Sequence, residues 1–136
     1  LDAKFNTFID AFGRDVADQR VFQNTPEWTG SISANYNWVM ENGSSIAFIP
    51  SVAYRGAYQQ FETPAPLLDQ DAYWMYDASV VWTSASDRWT VGLHGKNLFD
   101  KEYVQSVRQN VGLNTRSSAI EYGDARSAVL SATYSF

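Results

Sequence analysis

Few side chains in this chain could do chemistry, and they recur at regular places. Arg55, Asp77, His94 and Lys96 all fall on the polar parity of segments that alternate residue by residue. Asn97 and Asp100 stand where one such segment runs into a long loop, and Arg126 opens the last segment beside Gly123 and Asp124. His94 is the sole histidine and the chain has no cysteine. A metal site needs several nitrogen, sulfur or carboxylate ligands at fixed spacing, and none accompanies this imidazole. Nucleophilic catalysis needs a base oriented by a third group, and His94 has no Asp or Glu patterned beside it. No glycine-rich phosphate loop leads from a strand into a helix. The expectation is a protein without enzymatic activity, cofactor or metal. Asn97 and Asp100 read first as acceptors for backbone N–H groups at a strand-to-loop corner. Arg126 reads first as one half of a charge pair with a neighbouring strand. Ligand contact is the second reading for all of these residues.

The elements that must position them are strands. Aromatic residues make up 15% of the 136 positions, with eight Tyr, eight Phe and five Trp, and such rings favour pleated structure. Period-two alternation marks the segments 28–40, 46–58, 74–82, 89–97 and 128–136, and more loosely the opening residues from Leu1. In the last of these Ala128, Leu130, Ala132, Tyr134 and Phe136 occupy one parity. About six strands are expected, with Pro50 an awkward member because proline cannot donate to a ladder.

The connections alternate in length. A tight "ENGS" and a tight "SASD" separate long stretches at 10–27, 59–72 and 100–124. Short turns therefore belong at one end of the sheet and long loops at the other, as in outer-membrane barrels. Long loops of this kind tend to carry function, and Phe12, Phe22, Phe61, Tyr103 and Tyr122 lie in them. The chain opens on Leu1 without Met and reads as cut there, whereas the aromatic C-terminus reads as natural.

The formal charge of −5, with only three Lys among ten basic residues, argues against a nucleic-acid partner. No apolar run is long enough for a membrane helix, which leaves open a β route across a bilayer. The polar parity is mostly Ser, Thr and Asn rather than Lys and Glu, which suits a hydrated lumen better than a solvated sheet face. Trp38, Trp82, Trp89 and Phe136 lie next to the short turns or the terminus, and Trp28, Tyr58, Trp74 and Phe99 next to the long loops. Two aromatic girdles around a band of Ile, Val, Leu and Ala fit two membrane interfaces.

Specific stretches carry a resemblance. "GKNLFDKEY" (Gly95 to Tyr103) resembles the asparagine-leucine-x-aspartate-lysine-x-tyrosine stretch near the C-terminus of TonB-dependent outer-membrane receptors. "NTPEWT", "YRG", "DQDAYWMYDASVVW", "YGDARS" and the aromatic last strand follow the same family's order, so that the likeness covers essentially the whole chain. The family usually has proline where Ala125 stands and glycine where Ser131 stands.

The resemblance implies an all-β, antiparallel, up-and-down transmembrane β-barrel segment of about six strands, open rather than closed. It would be the C-terminal part of a receptor that imports a scarce ligand such as a siderophore-iron complex, cobalamin or a carbohydrate. The implied partners are outer-membrane lipid, a plug domain and the remaining barrel strands, the TonB complex acting through that plug, and the barrel assembly machinery. Tyr134 and Phe136 would form the assembly signal. Arg55, Asp77, His94, Lys96, Asn97 and Arg126 would face the lumen, the plug or a ligand. Six strands alone would leave two unpaired edges in lipid, so transport by these residues alone is not expected. A small complete outer-membrane barrel or adhesin, and a soluble β-sandwich binding module, remain the alternatives.

Overall fold

The computed structural model describes residues 3–111 and 116–136. It is all-β and antiparallel, with one three-residue 3₁₀ turn at Ala17–Gln19. The strands are β1 (Thr29–Ser33), β2 (Tyr36–Val39), β3 (Ser45–Arg55), β4 (Tyr73–Thr83), β5 (Trp89–Lys96), β6 (Val104–Val111), β7 (Arg116–Tyr122) and β8 (Ser127–Tyr134). Six of them form one sheet in the order β1-β3-β4-β5-β8, with β2 also on β3, while β6 and β7 form a separate hairpin. The larger sheet is not closed on itself, since β8 does not pair with β1 or β2.

Three expectations need correction. Ala3 to Asn6 form no strand, and Leu1 and Asp2 lie outside the described residues. The segment 28–40 is two strands rather than one. Ala34 N–H donates to Pro50 O at 3.1 Å, but the proline nitrogen cannot return the bond, and the ladder lapses at Ala34 and Asn35. Finally, the stretch 100–124 is not a plain loop, because it contains the β6–β7 hairpin.

The chain divides into two compact units. One, called here the sheet unit, comprises Gly30–Ala53, Trp74–Lys101 and Asp124–Phe136; the loop unit comprises Leu1–Thr29, Tyr54–Tyr73 and Glu102–Gly123.

In the sheet unit both tight turns are built as their residues require. Gly43 takes φ +83° and donates to Met40 O at 2.9 Å, while Asn42 Oδ1 accepts from Ser44 N–H at 3.0 Å. Asp87 takes φ +56° in the turn between β4 and β5, where Ser84 Oγ accepts from Trp89 N–H at 3.0 Å. A Cβ on Gly43 would stand 3.3 Å from Ala85 Cβ, so the two turns are neighbours at one end of the sheet. Ser135 N–H donates to Arg88 O at 2.8 Å and brings the chain end to the same place.

The register aligns the apolar parities. Val80 faces Leu93 and Leu93 faces Leu130; Trp82 faces Val91 and Val91 faces Ala132; Trp89 faces Tyr134. Paired residues share a face, so these side chains form continuous apolar rows across β4, β5 and β8. They are not covered. Trp74, Tyr76, Val80 and Trp82 of β4 are exposed, whereas Asp77, Ser79, Val81 and Thr83 on its other face are partly buried. In β4 the larger apolar side chains are thus the more exposed ones, whereas β1, β2 and β8 are exposed on both faces. Among the described residues the buried apolar side chains are Val16, Tyr58 and Tyr73, all in the loop unit.

Candidate functional site

At the loop end of β4, β5 and β8 the motif residues form a hydrogen-bonded corner. Asn97 sits in the left-handed region at φ 49°, where asparagine is among the residues best tolerated. Its side chain is 2% exposed and fully used. Nδ2 donates to Lys101 O and Asp124 O, each at 3.0 Å, and Oδ1 accepts from Lys101 N–H at 2.8 Å. Its own N–H donates to Asp77 Oδ1 at 2.8 Å. Asp100, also left-handed at φ 53°, accepts from Arg126 N–H at 2.8 Å. Asp77, Asn97, Asp100 and Arg126 are thus brought together, with the carboxylates and the amide occupied by backbone groups. Arg126 contributes through its amide; its exposed guanidinium forms no ion pair among the described residues, so the charge pair expected of it is absent.

His94 lies across three strands on the polar face. Its Nδ1 is 2.9 Å from Ser79 Oγ on β4 and its Nε2 is 3.2 Å from Ser131 Oγ on β8. A Cβ on Gly92 would stand 2.5 Å from Nε2, so only glycine at 92 leaves room for the ring. Ser131, which stands where glycine was expected from the family pattern, thereby has a structural use. Both imidazole nitrogens face hydroxyls, and no group of three or more metal-binding side chains occurs among the described residues. Lys96 is exposed at the end of β5, opposite Ser127.

Arg55 belongs to the loop unit, where its guanidinium lies 4.3 Å over the Tyr58 ring. Its Nε is buried without a hydrogen-bond partner among the described residues. Tyr58, expected in a girdle, is instead one of the most buried side chains, 2% exposed. β3 ends at Arg55, and Gly56, whose N–H donates to Trp28 O at 2.9 Å, breaks the alternation before the ring is reached. Tyr58 Oη donates to Val104 O at 3.0 Å, and burial pushes its hydroxyl pKa up. Gln70 completes this latch: its Oε1 accepts from Val104 N–H at 2.6 Å, and its backbone exchanges two 3.0 Å bonds with Tyr58. Beside it Tyr103 stacks on Tyr73 at 4.9 Å and lies over Gly123, where any Cβ would collide with the ring. The base of the β6–β7 hairpin is held by Tyr58, expected in a girdle, by the loop aromatic Tyr103, and by Gln70 and Tyr73, which no pattern in the sequence singles out.

The sheet unit also carries an apolar hollow of about 460 Å³ on its exposed face, lined by Ile32, Phe48, Pro50, Tyr76, Leu98 and Phe99. It lies where Pro50 interrupts the ladder.

No protein-family model, no curated protein and no solved structure matches the chain. The resemblance drawn above therefore rests on the ordered motifs alone.

Proposed function

We propose that the six-stranded sheet is part of an outer-membrane β-barrel of the TonB-dependent receptor type, with its apolar rows against lipid and its polar face toward the lumen. The observation that carries this reading is the inverted burial of β4 and β5, where the large apolar side chains are the exposed ones. In water such a face would cost roughly 25 cal/mol for each Å² left uncovered, and patches beyond a few hundred Å² mark an interaction surface. Lipid removes that cost. Trp38, Trp82, Trp89, Tyr134 and Phe136, all exposed, lie toward the tight-turn end, where the headgroup region of one leaflet would fall.

Unpaired edges at β8 and at β1 and β2 call for further strands of the same barrel, because open ladders are not tolerated in hydrocarbon. In this reading the chain supplies wall and loops to a ligand importer, whose plug, energy coupling through TonB and recognition by the assembly machinery at Tyr134 and Phe136 follow from the family. The Asn97 corner gives the "NLFDKEY" motif a structural task, the fastening of a strand end.

The test is refolding into phospholipid vesicles with acyl chains brominated at known depths. Quenching of tryptophan emission by the bromines, with protection of β3 to β5 from added protease, is the expected result. A monomer that folds cooperatively in detergent-free buffer and leaves vesicles unbound would overturn it in favour of a β-sandwich module.

A further inference from the structure

The loop unit contains a guanidinium that enters no ion pair among the described residues. Arg20 is partly buried; its guanidinium lies 5.0 Å over the Phe8 ring and Nη1 donates to Thr63 Oγ1 at 2.6 Å. The chain has 15 acidic residues against 10 basic ones, yet among the described residues no carboxylate lies within ion-pair distance of Arg20, and Asp10 feels its charge only from farther off. A guanidinium offers several further N–H donors in a planar fork matched to a carboxylate.

The surroundings are built rather than incidental. Val21 N–H donates to Glu62 O at 2.8 Å and Asn24 N–H to Gln59 O at 2.7 Å, tying the segment 20–24 to 59–63. The Asp69 carboxylate collects Gln60 N–H at 3.2 Å and Ala65 N–H at 3.0 Å, fixing the following turn. Between these segments and β6 opens a cleft of about 430 Å³, lined among others by Arg20, Gln23, Phe61, Glu62, Thr63 and Gln109. That volume falls in the range of ligand clefts, roughly 300–1,000 Å³.

We propose that this cleft binds a polyhydroxylated organic monoanion of monosaccharide size, such as a uronic or aldonic acid. Its carboxylate pairs with Arg20, its hydroxyls are shared by the amides of Gln23 and Gln109 and the carboxylate of Glu62, and its C–H face rests on Phe61. Planar amides and carboxylates present donors and acceptors side by side, the spacing that vicinal hydroxyls need. One guanidinium balances one negative charge. Glu62 in the same cleft disfavours a phosphate dianion but accepts from hydroxyls. None of these residues is used by the lipid-facing reading, so either proposal can fail without the other.

The test is isothermal titration of the detergent-solubilised chain with galacturonate, glucuronate and gluconate, and with galactose as the neutral control. At least one acid should bind about tenfold more tightly than galactose, and the advantage should shrink on raising salt from about 20 to 200 mM. Arg20→Lys keeps the charge but loses the fork, and should weaken the acid by about fivefold. Gln109→Ala, remote from the Arg20–Thr63 bond, should weaken it severalfold and keeps the test decisive if Arg20→Lys disturbs the loop. Binding of galactose as tight as that of galacturonate overturns the proposal. So does an acid affinity that neither substitution changes, or no heat with any of the acids at about 10 mM.

Discussion

The sheet unit and the loop unit solve the same problem with opposite materials. In the loop unit the order comes from specific side chains: Tyr58 and Gln70 hold Val104 by both its backbone groups, and Tyr73, Tyr103 and Gly123 close round them. In the sheet unit the order comes from the backbone ladder, and its large apolar side chains contribute little because they touch no core. Loops are ordinarily the part of a protein held by few buried contacts; here the loop unit holds every buried apolar side chain of the described residues. A region that buries nothing on its apolar side depends on its surroundings, whereas one with an internal latch does not. Substitutions should separate the two.

The largest effect is expected at the latch. Tyr58→Ala removes a ring that is 2% exposed together with its bond to Val104 O, and should cost about 3–5 kcal/mol in stability of the loop unit. Tyr58→Phe, which deletes the hydroxyl alone, should cost about 1–2 kcal/mol. Hydrogen exchange resolved by segment is the measurement: amides of β6 should lose protection in Tyr58→Ala while those of β5 and β8 keep theirs. Equal loss in all three would mean that the two units do not differ as argued.

Next comes the apolar face itself. Leu93 is 52% exposed, in the middle of β5, between Val80 and Leu130. In phospholipid vesicles Leu93→Arg should destabilise the folded chain by about 2–4 kcal/mol, the cost of a lipid-facing arginine near the bilayer midplane. A half-exposed side chain facing water would give a change within about 0.5 kcal/mol. Urea titration of vesicle-bound protein distinguishes these values, and a null effect in lipid would break the contrast between the units on the sheet side.

What could be read in the sequence follows the same division. Alternation is a backbone-periodic signal, so β3, β4, β5 and β8 and both tight turns were visible in the order of Trp, Val, Ser and Thr, as was the parity that holds Asp77, His94 and Lys96. Asn97 is legible as a corner residue because two of its side-chain bonds are local, to Lys101 four positions on, whereas the Asp100 carboxylate meets Arg126 across 26 positions. The loop unit was not legible. Tyr58 meets Val104 across 46 positions and Gln70 meets it across 34, and no short-range pattern records such a meeting. The β6–β7 hairpin escaped notice because Val104 to Val111 mixes Gln, Ser and Arg among its valines and alternates poorly. Pro50 is visible in the sequence as an awkward strand residue, but its consequence falls on Ala34 and Asn35, between β1 and β2.

A smaller and more local effect should follow at the Asn97 corner, and it sharpens the comparison because here, within the sheet unit, side chains rather than the ladder hold the chain. Asn97→Gly keeps the left-handed backbone accessible but deletes the three side-chain bonds, and should cost about 1–3 kcal/mol. Asn97→Ala adds the cost of a Cβ in that conformation, roughly a further 1 kcal/mol. Thermal unfolding should rank wild type above glycine above alanine. The reverse order of the two variants would show that backbone conformation does not matter at this corner.

The smallest effect concerns acid and lies wholly in the loop unit. Asp10 has its carboxyl pKa lowered by the Arg14 backbone N–H first, then by the Arg14 side chain, with Nη2 at 2.8 Å; Asp15 is lowered by the Phe8 and then the Ala17 backbone N–H. A carboxylate whose folded pKa lies below its unfolded value near 3.8 contributes stability above that value and loses it as the pH falls through the folded one. Asp15 is exposed and Asp10 partly buried, both in a surface loop, so the contribution is modest and local. Between about pH 5 and pH 2.5 the amides of Phe8, Phe12, Arg14 and Ala17, which donate to these two carboxylates, should gain exchange rate beyond the intrinsic pH dependence. The amides of β5 and β8, whose ladder partners are carbonyls that do not titrate in this range, should follow the intrinsic dependence alone. Asp15→Asn should reduce the extra acid response at Phe8 and Ala17 while leaving it at Phe12 and Arg14, and a uniform response across all four amides would place its origin outside these two carboxylates.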